Sequence, residues 1–425
     1  MKKVVKKIAL LLIVFGIGVG VTLLYTNNKY KVYKEEEPKQ IKKHVDTISM
    51  MLETEAGSGN YEMTTASSWP TEGYVFNTEL SKCENGGELS WDDENKRVLM
   101  SGNVSDKCYV YFDIYVPPTI ADYVKSLYTG TQGENSIYYH DASLTNGAGD
   151  NSYRFAGASE SVNNYVCFGT NTTPCPTDNL YRIIGVFGDK VKLIKYDYAN
   201  NNLLGTDGDY STNTYSKSSN STYKGELTTI NRYYWNNSTT TNTWSESLLN
   251  KTNLNTNFIT NIGTEWANKI ATTTWKVGGN TSANIYSKTP SVAYQNEVVN
   301  PVTTNTTDNT TEYTAKIGLM YVSDYGFAAD PSAWTLTMNN YNNTTAISTN
   351  WMYMGLNEWC ISRLADGSNS AFFVDGFVYF SDVYHNDLLP DRIISGFGVR
   401  PSFNLESSIT YVSGDGTQNS PIIIN

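Results

Sequence analysis

Hydrophobic and polar positions fall into three regimes along this chain. The first is an uninterrupted apolar run from Ile8 to Tyr25, in which Ala, Gly and Thr dilute Leu, Ile, Val and Phe. Its length approaches the roughly 20 residues that a helix needs to cross a bilayer. A cleaved signal peptide would have a shorter apolar core and small residues just before the cut. Here the run continues past Gly18-Val19-Gly20 through Val21, Leu23 and Leu24. Residues 1–25 are therefore expected to be an uncleaved single-pass anchor, inserted in the membrane through residues 8–25. The N-terminus should be cytoplasmic and the body extracellular. Lys before the run and Lys29, Lys31 and Lys34 after it nearly balance, so charge alone barely sets that orientation. Residues 26–45, with Lys34-Glu35-Glu36-Glu37-Pro38-Lys39, read as a charged spacer.

The second regime, residues 46–116, consists of short β-prone runs between turn residues: 73–76, 88–91, 97–100 and 108–112. So small a segment predicts a β-sandwich-like module that needs a covalent clasp. Pro117-Pro118 ends it. A short helix from Ile120 to Tyr128 and a Gly/Asn-rich stretch then make residues 117–151 a linker.

The third regime, 152–425, mixes strand and helix patterns, so the fold class expected for the chain is α+β. Tyr181–Phe187 and Lys190–Tyr196 read as strands joined by a tight turn at Gly188-Asp189. Thr243 and Glu246 have capping-box spacing. Leu254, Phe258, Ile262, Trp266 and Ile270 recur every four residues, as on one buried helix face. Lys316–Val322 reads as a buried strand, and Asp375-Gly376 as a hairpin turn between 371–374 and 377–380. In 399–405, Val399, Pro401, Phe403 and Leu405 share one strand face, and Arg400, Ser402 and Asn404 the other. Pro401 puts that strand at an edge or near its start.

Composition narrows the partners. The whole chain carries −11, and setting aside the four Lys of the first 25 residues leaves −15 on the rest. An acidic exterior repels phosphate backbones, which excludes nucleic acid as a partner. Charged residues make up only 17%, so Asn, Thr, Ser and Tyr must supply the polar surface. Cys83 with Cys108 and Cys167 with Cys175 lack CxxC spacing and accompanying His, which argues against zinc. Two local disulfides in an oxidising compartment are the simpler reading, with four reduced core thiols as the alternative. Cys360 is left over as a small buried hydrophobe.

The order of motifs in the third regime resembles a known type of domain. Tyr181-Arg-Ile-Ile-Gly-Val comes first, then a helix carrying Trp266, then Ile317-Gly-Leu-Met-Tyr-Val-Ser. Trp359-Cys-Ile-Ser-Arg363, an Asp-Gly turn and Gly398-Val-Arg-Pro-Ser-Phe-Asn-Leu405 complete it. The set resembles uncharacterised bacterial surface proteins whose C-terminal domain is similar to the C-type-lectin-like fold of formylglycine-generating enzymes. Trp359 and Arg363 stand one residue further apart than in that pattern, and Ser402 replaces a common Ala. The resemblance implies a C-type-lectin-like, mixed and twisted sheet over 152–425, with long ordered loops that carry ligand contacts. The enzymes of that group activate copper with a pair of cysteines, whereas this chain has Cys360 alone in the corresponding region.

Candidate chemistry is sparse. His44, His140 and His385 lie in polar stretches. His140 beside Asp141 has the composition of a base and its orienter, but no nucleophile is marked. Asp207-Gly-Asp209 offers two carboxylates to a structural Ca²⁺ without EF-hand spacing, and equally reads as a turn. There is no phosphate-binding loop, no nucleophile elbow and no HExxH. No catalytic residue, metal site or cofactor is assigned. Trp266, Trp359, Phe372 and Phe403 read as core. Tyr234, Trp235, Trp351 and Tyr353 are less patterned and are the candidates for an exposed ligand-binding patch, together with Arg363. Arg400 is expected to be structural, through an ion pair or backbone hydrogen bonds, as is Trp359. These readings favour a membrane-anchored surface binding or adhesion protein for a glycan, wall polymer or protein. An oxidase related to the formylglycine-generating enzymes and a pilin-like filament subunit are the alternatives.

Overall fold

A computed structural model describes residues 47–102, 106–237, 241–301, 310–341, 348–365, 370–376, 383–387 and 396–425. The expected anchor (1–25), spacer (26–45), His44 and strand 377–380 lie outside the described residues. Among the described residues no helix is long and apolar enough to cross a membrane. The fold is mixed α+β and strand-rich. The chain divides between Val116 and Pro117 into two compact units.

The first unit has six strands: β1 (Thr47–Glu53), β2 (Tyr61–Thr64), β3 (Tyr74–Cys83), β4 (Glu88–Asp92), β5 (Arg97–Ser101) and β6 (Lys107–Ile114). Four form a sheet in the order β2-β1-β6-β3, with β1 and β6 parallel, while β4 and β5 make a separate hairpin. Alternation explains the layering. Met50, Val110 and Phe112 are buried, and Trp69, Phe76, Leu89, Trp91 and Val98 pack over them. That core is small, and a covalent link supplements it. Cys83 stands opposite Cys108 in the β3–β6 ladder, and the two are disulfide-bonded.

The second unit begins at Pro117. Residues 117–151, expected as a linker, belong to it instead. Helix α1 (Ile120–Ser126), capped by Thr119, buries Ile120, Ala121 and Val124 in the unit's main core. The strands β7 (Ile137–His140), β8 (Ser152–Phe155), β9 (Tyr165–Cys167), β10 (Leu180–Phe187) and β11 (Lys190–Lys195) follow. With Ile317–Gly318 and Ser402–Asn404 they build a seven-stranded sheet. Its path runs 317–318, 402–404, β11, β10, β8, β7, and β9 also pairs with β10. Residues of β10 and β11 are buried on both faces, as befits strands central to a covered sheet. Gly188 takes φ 67° at the β10–β11 turn, the conformation a tight hairpin asks of glycine. A second sheet contains Glu358–Leu364 and Ser370–Val374. Cys167 and Cys175 form the second disulfide.

Three local expectations change. Of the five residues in the four-residue apolar period, Leu254 and Phe258 are buried in a π-helix over Leu249–Phe258, and the other three lie beyond it. A turn of α-helix, Ile259–Asn261, continues it toward Gly263 at φ 82°, and a short helix, Thr264–Asn268, carries Trp266. The first turn of the π-helix is capped from a distance, by the Asp209 carboxylate accepting the Leu249 N–H at 2.7 Å, while the Thr243 hydroxyl pairs with that of Thr241. Lys316–Val322 is strand only at 317–318. Helix α2 (Val322–Ala328) begins where Asp324 accepts the Tyr321 N–H at 2.9 Å. Val374 pairs with Val383, so the Asp375-Gly376 turn does not close a two-residue hairpin.

Gly318 lies under the Trp275 ring, where a Cβ would meet ring atoms at 2.6–2.7 Å. Trp275 is buried and cannot swing away freely. Gly318→Ala should therefore destabilise the protein by about 1–3 kcal/mol, read from the denaturation midpoint.

Candidate functional site

The aromatic residues expected on the surface are mostly inside. Trp235, Trp351 and Tyr353 are 0%, 1% and 3% exposed, and Arg363 is 1% exposed. They do not form a solvent-facing patch, and Tyr234 alone of the five keeps partial exposure. Their polar atoms show why burial is tolerated. The Trp235 indole N–H donates to the Cys360 carbonyl at 2.9 Å, and that of Trp351 to the Phe155 carbonyl at 2.8 Å. The Tyr353 hydroxyl donates to the Gly376 carbonyl at 3.2 Å, and Arg363 Nη2 to the Thr310 carbonyl at 2.9 Å. A buried polar group with a partner avoids most of its desolvation cost. Trp359 is likewise core, its indole N–H on the Tyr233 carbonyl at 2.8 Å.

Arginines fasten these residues. Arg400, fully buried, pairs through Nε with Glu358 Oε1 at 2.7 Å and donates from Nη2 to the Met352 carbonyl at 2.7 Å. Burial lowers its pKa, but the charge and hydrogen bond of Glu358, with Tyr198 and Asp197, together outweigh that and raise it. Arg182 donates to Asn164 Oδ1, Ser159 Oγ and the Val162 carbonyl at 2.6–2.7 Å. Its guanidinium lies 4.3 Å from the Tyr165 ring centroid and 4.7 Å from that of Trp351.

The suggested His140–Asp141 pair does not exist. His140 is fully buried, accepts the Ala148 N–H on Nδ1 at 3.0 Å and packs edge-on against Phe327. The Asp141 carboxylate turns to Ser143 and Leu144. Nor do Asp207 and Asp209 form a cation cage. Asp207 Oδ1 accepts from Asn257, while Asp209 takes the backbone N–H groups of Asn237 and Leu249. Both carboxylates are taken up by donors of the fold, so they do not fit the Ca²⁺ considered for them. Cys83, Asp106 and Cys108 lie close enough to suggest a metal. The two thiols are oxidised to a disulfide, and Asp106 accepts the Asn85 and Gly87 N–H groups.

A cleft of about 210 Å³ lies against the seven-stranded sheet over Phe187, Lys192 and Asn404. Its lining is contributed by β11 (Lys192), the strand Thr273–Lys276, the helix Pro290–Tyr294, α2 (Asp324) and Asn404. Trp275, Tyr321, Tyr294 and Phe187 give it an aromatic wall, and Thr273, Thr274, Lys276 and Asn404 add polar groups. At its floor Lys192 Nζ meets Asp324 Oδ2 at 2.5 Å. Arg154 Nη1 lies 3.7 Å from Asp324 Oδ1, and Arg154 Nη2 bonds Asp150 at 2.7 Å. Two cations and two anions thus balance. Lys192 Nζ also sits 4.4 Å from the Tyr321 ring centroid and 5.3 Å from that of Trp275. Burial lowers the Lys192 pKa against the pull of Asp324. Burial alone would raise Asp150, but the Arg154 charge and a Ser152 hydrogen bond hold it below the ordinary carboxylate value. Sequence reasoning missed this cleft. Lys192 alternates with apolar neighbours as a solvent-facing residue would, and its partner is distant in the chain.

No family model, curated protein or solved structure matches the chain.

Burial, and next the Arg154 charge, hold His140 well below its ordinary pKa of 6.5, with Asp150 opposing. The unfolded chain therefore binds a proton at higher pH than the folded one. His140's contribution should be complete above about pH 6.5 and fall away as the pH drops toward 5. Denaturation midpoints across that window should show the decline, and His140→Asn should flatten it.

Proposed function

We propose that the chain is a membrane-anchored, extracytoplasmic binding protein whose C-terminal, lectin-like unit holds a segment of glycan or wall polymer in the cleft beside Trp275. The observation that carries this reading is the character of that cleft. The lining combines aromatic rings that are largely buried, Phe187 the most open of them, with Thr273, Thr274 and Asn404, which offer hydroxyl and amide groups to sugar hydroxyls. The floor charges are spent on one another, which favours an uncharged, hydroxyl-rich ligand over an ion. Ligand sites are commonly concave and mostly apolar, with a few placed polar groups. The mixed α+β architecture and the two disulfides agree with a lectin-like surface domain outside the cytoplasm.

An oxidase of the formylglycine-generating kind is less well supported. Cys360 is buried, and burial together with nearby carboxylates pushes its thiol well above the ordinary range. The other four cysteines are joined in pairs. The residues therefore do not fit a copper site built on two thiols.

Full-length protein in detergent, probed on glycan arrays and with solubilised wall fragments, should retain a defined saccharide. Thr274 is exposed at the cleft. Thr274→Trp should fill the space and weaken binding at least tenfold with an unchanged melting temperature. Absence of any saccharide ligand in both screens would refute the reading.

A further inference from the structure

The floor of the cleft holds more than an ion pair needs. Lys192 and Asp324 lie 132 residues apart in sequence, their side chains are 6% and 3% exposed, and Nζ touches Oδ2 at 2.5 Å. Aromatic rings of Tyr321 and Trp275 face the amine. Asp324 Oδ2 is also held by the Tyr321 N–H at 2.9 Å, which fixes the carboxyl group on α2. Arg154 Nη1 points toward the other oxygen, Oδ1, at 3.7 Å, and this buried nitrogen makes no hydrogen bond. Arg154 is otherwise well anchored, with Nε on Ser152 Oγ at 2.8 Å and Nη2 on Asp150.

We propose that Lys192 and Asp324 condense to an intramolecular amide, Nζ to Cγ, with loss of one water. The chemistry balances within the two residues. The ammonium passes one proton to Oδ2 through the existing contact, which leaves a neutral amine beside a neutral acid. Nitrogen then adds to Cγ, and the negative charge that develops on Oδ1 is met by the idle Arg154 Nη1 donor. A second proton moves from nitrogen to the Oδ2 hydroxyl, that oxygen leaves as water into the open cleft, and the amide nitrogen keeps one hydrogen. No oxidant or activating co-reactant is required.

Two physical terms favour the product. Groups held this close behave as if at effective concentrations on the order of 10⁵ M or more, which offsets the hydrolytic bias of bulk water. Condensation also removes a buried cation and a buried anion together. What remains, Arg154 with Asp150, is a neutral pair with its own 2.7 Å contact. Burial, by lowering the Lys192 pKa, supports the neutral amine that the first step needs. The amide would tie β11 to α2 over 132 residues, whereas the disulfides span only 25 and 8. The saccharide reading shares Trp275 and Tyr321 with this site but does not require the amide, since ion pair and amide alike leave the floor without net charge.

The test is mass spectrometry of the full-length, reduced protein beside its Lys192→Arg variant. Arginine keeps the cation but is no nucleophile here, and comparing the pair cancels any N-terminal processing. Wild type should fall one water below its expected mass relative to the variant. Digestion should release a branched peptide joining the Lys192 and Asp324 fragments. Wild type and variant at equal offsets from their expected masses would overturn the proposal. So would a water loss that maps to an Asp-Gly succinimide at Asp207, Asp366, Asp375 or Asp415.

Discussion

An arginine removed from water cannot shed its proton, so the surroundings must supply acceptors and charge. The second unit is organised by that demand. Arg400 draws together Glu358 from one strand, the Met352 carbonyl from the preceding loop and, at 3.5 Å, the Tyr196 carbonyl beyond β11. Arg182 approaches the same loop from another side, stacking on Trp351 and binding the turn around Ser159 to Val162. Residues Trp351 and Met352 are thereby clamped between two guanidinium groups. The positions of β10, the 358–364 strand and the segment before Ser402 are thereby set jointly.

The same constraint shapes the cleft. Arg154 and Lys192 are brought to its floor by β8 and β11, and Asp150 and Asp324 balance them. A cleft whose charges pair with one another offers mainly apolar surface and neutral polar groups to an incoming molecule. That is why the binding proposal rests on apolar contact and hydroxyl recognition rather than on ion capture. The first unit solves its stability problem by other means. Its core is only a few aromatic and aliphatic residues deep, and the Cys83–Cys108 bond limits the freedom of its unfolded chain.

Period and turn chemistry made much of the architecture legible in the sequence. The β10–β11 hairpin at Gly188-Asp189, the short helix after Pro118 and the cysteine pairs all follow from local rules. What stayed hidden was decided by partners far away in the chain. Trp235, Trp351 and Tyr353 lack a helical or strand period, so they read as surface. They are core because irregular segments are packed between sheets and their polar atoms meet distant carbonyls. Lys192 in Val191-Lys192-Leu193 has the alternation of a half-exposed strand, and nothing local announces that α2 covers it with Asp324. The Pro117–Asn151 stretch looked like a linker because polar residues, Gly and Asn fill its second half, yet the few apolar residues of α1 and β7 suffice to dock it.

The central claim is that charge pairing across distant segments, and not aromatic burial alone, fixes the second unit. A double-mutant cycle on Glu358→Leu and Arg400→Met, read by equilibrium denaturation, tests it most directly. Either single change should cost about 3–5 kcal/mol, because it strands the other charge inside. The double variant should recover a large part of that loss, giving a coupling of at least ~2 kcal/mol. Additivity within about 0.5 kcal/mol would contradict the account, since it would mean that the two charges do not depend on one another.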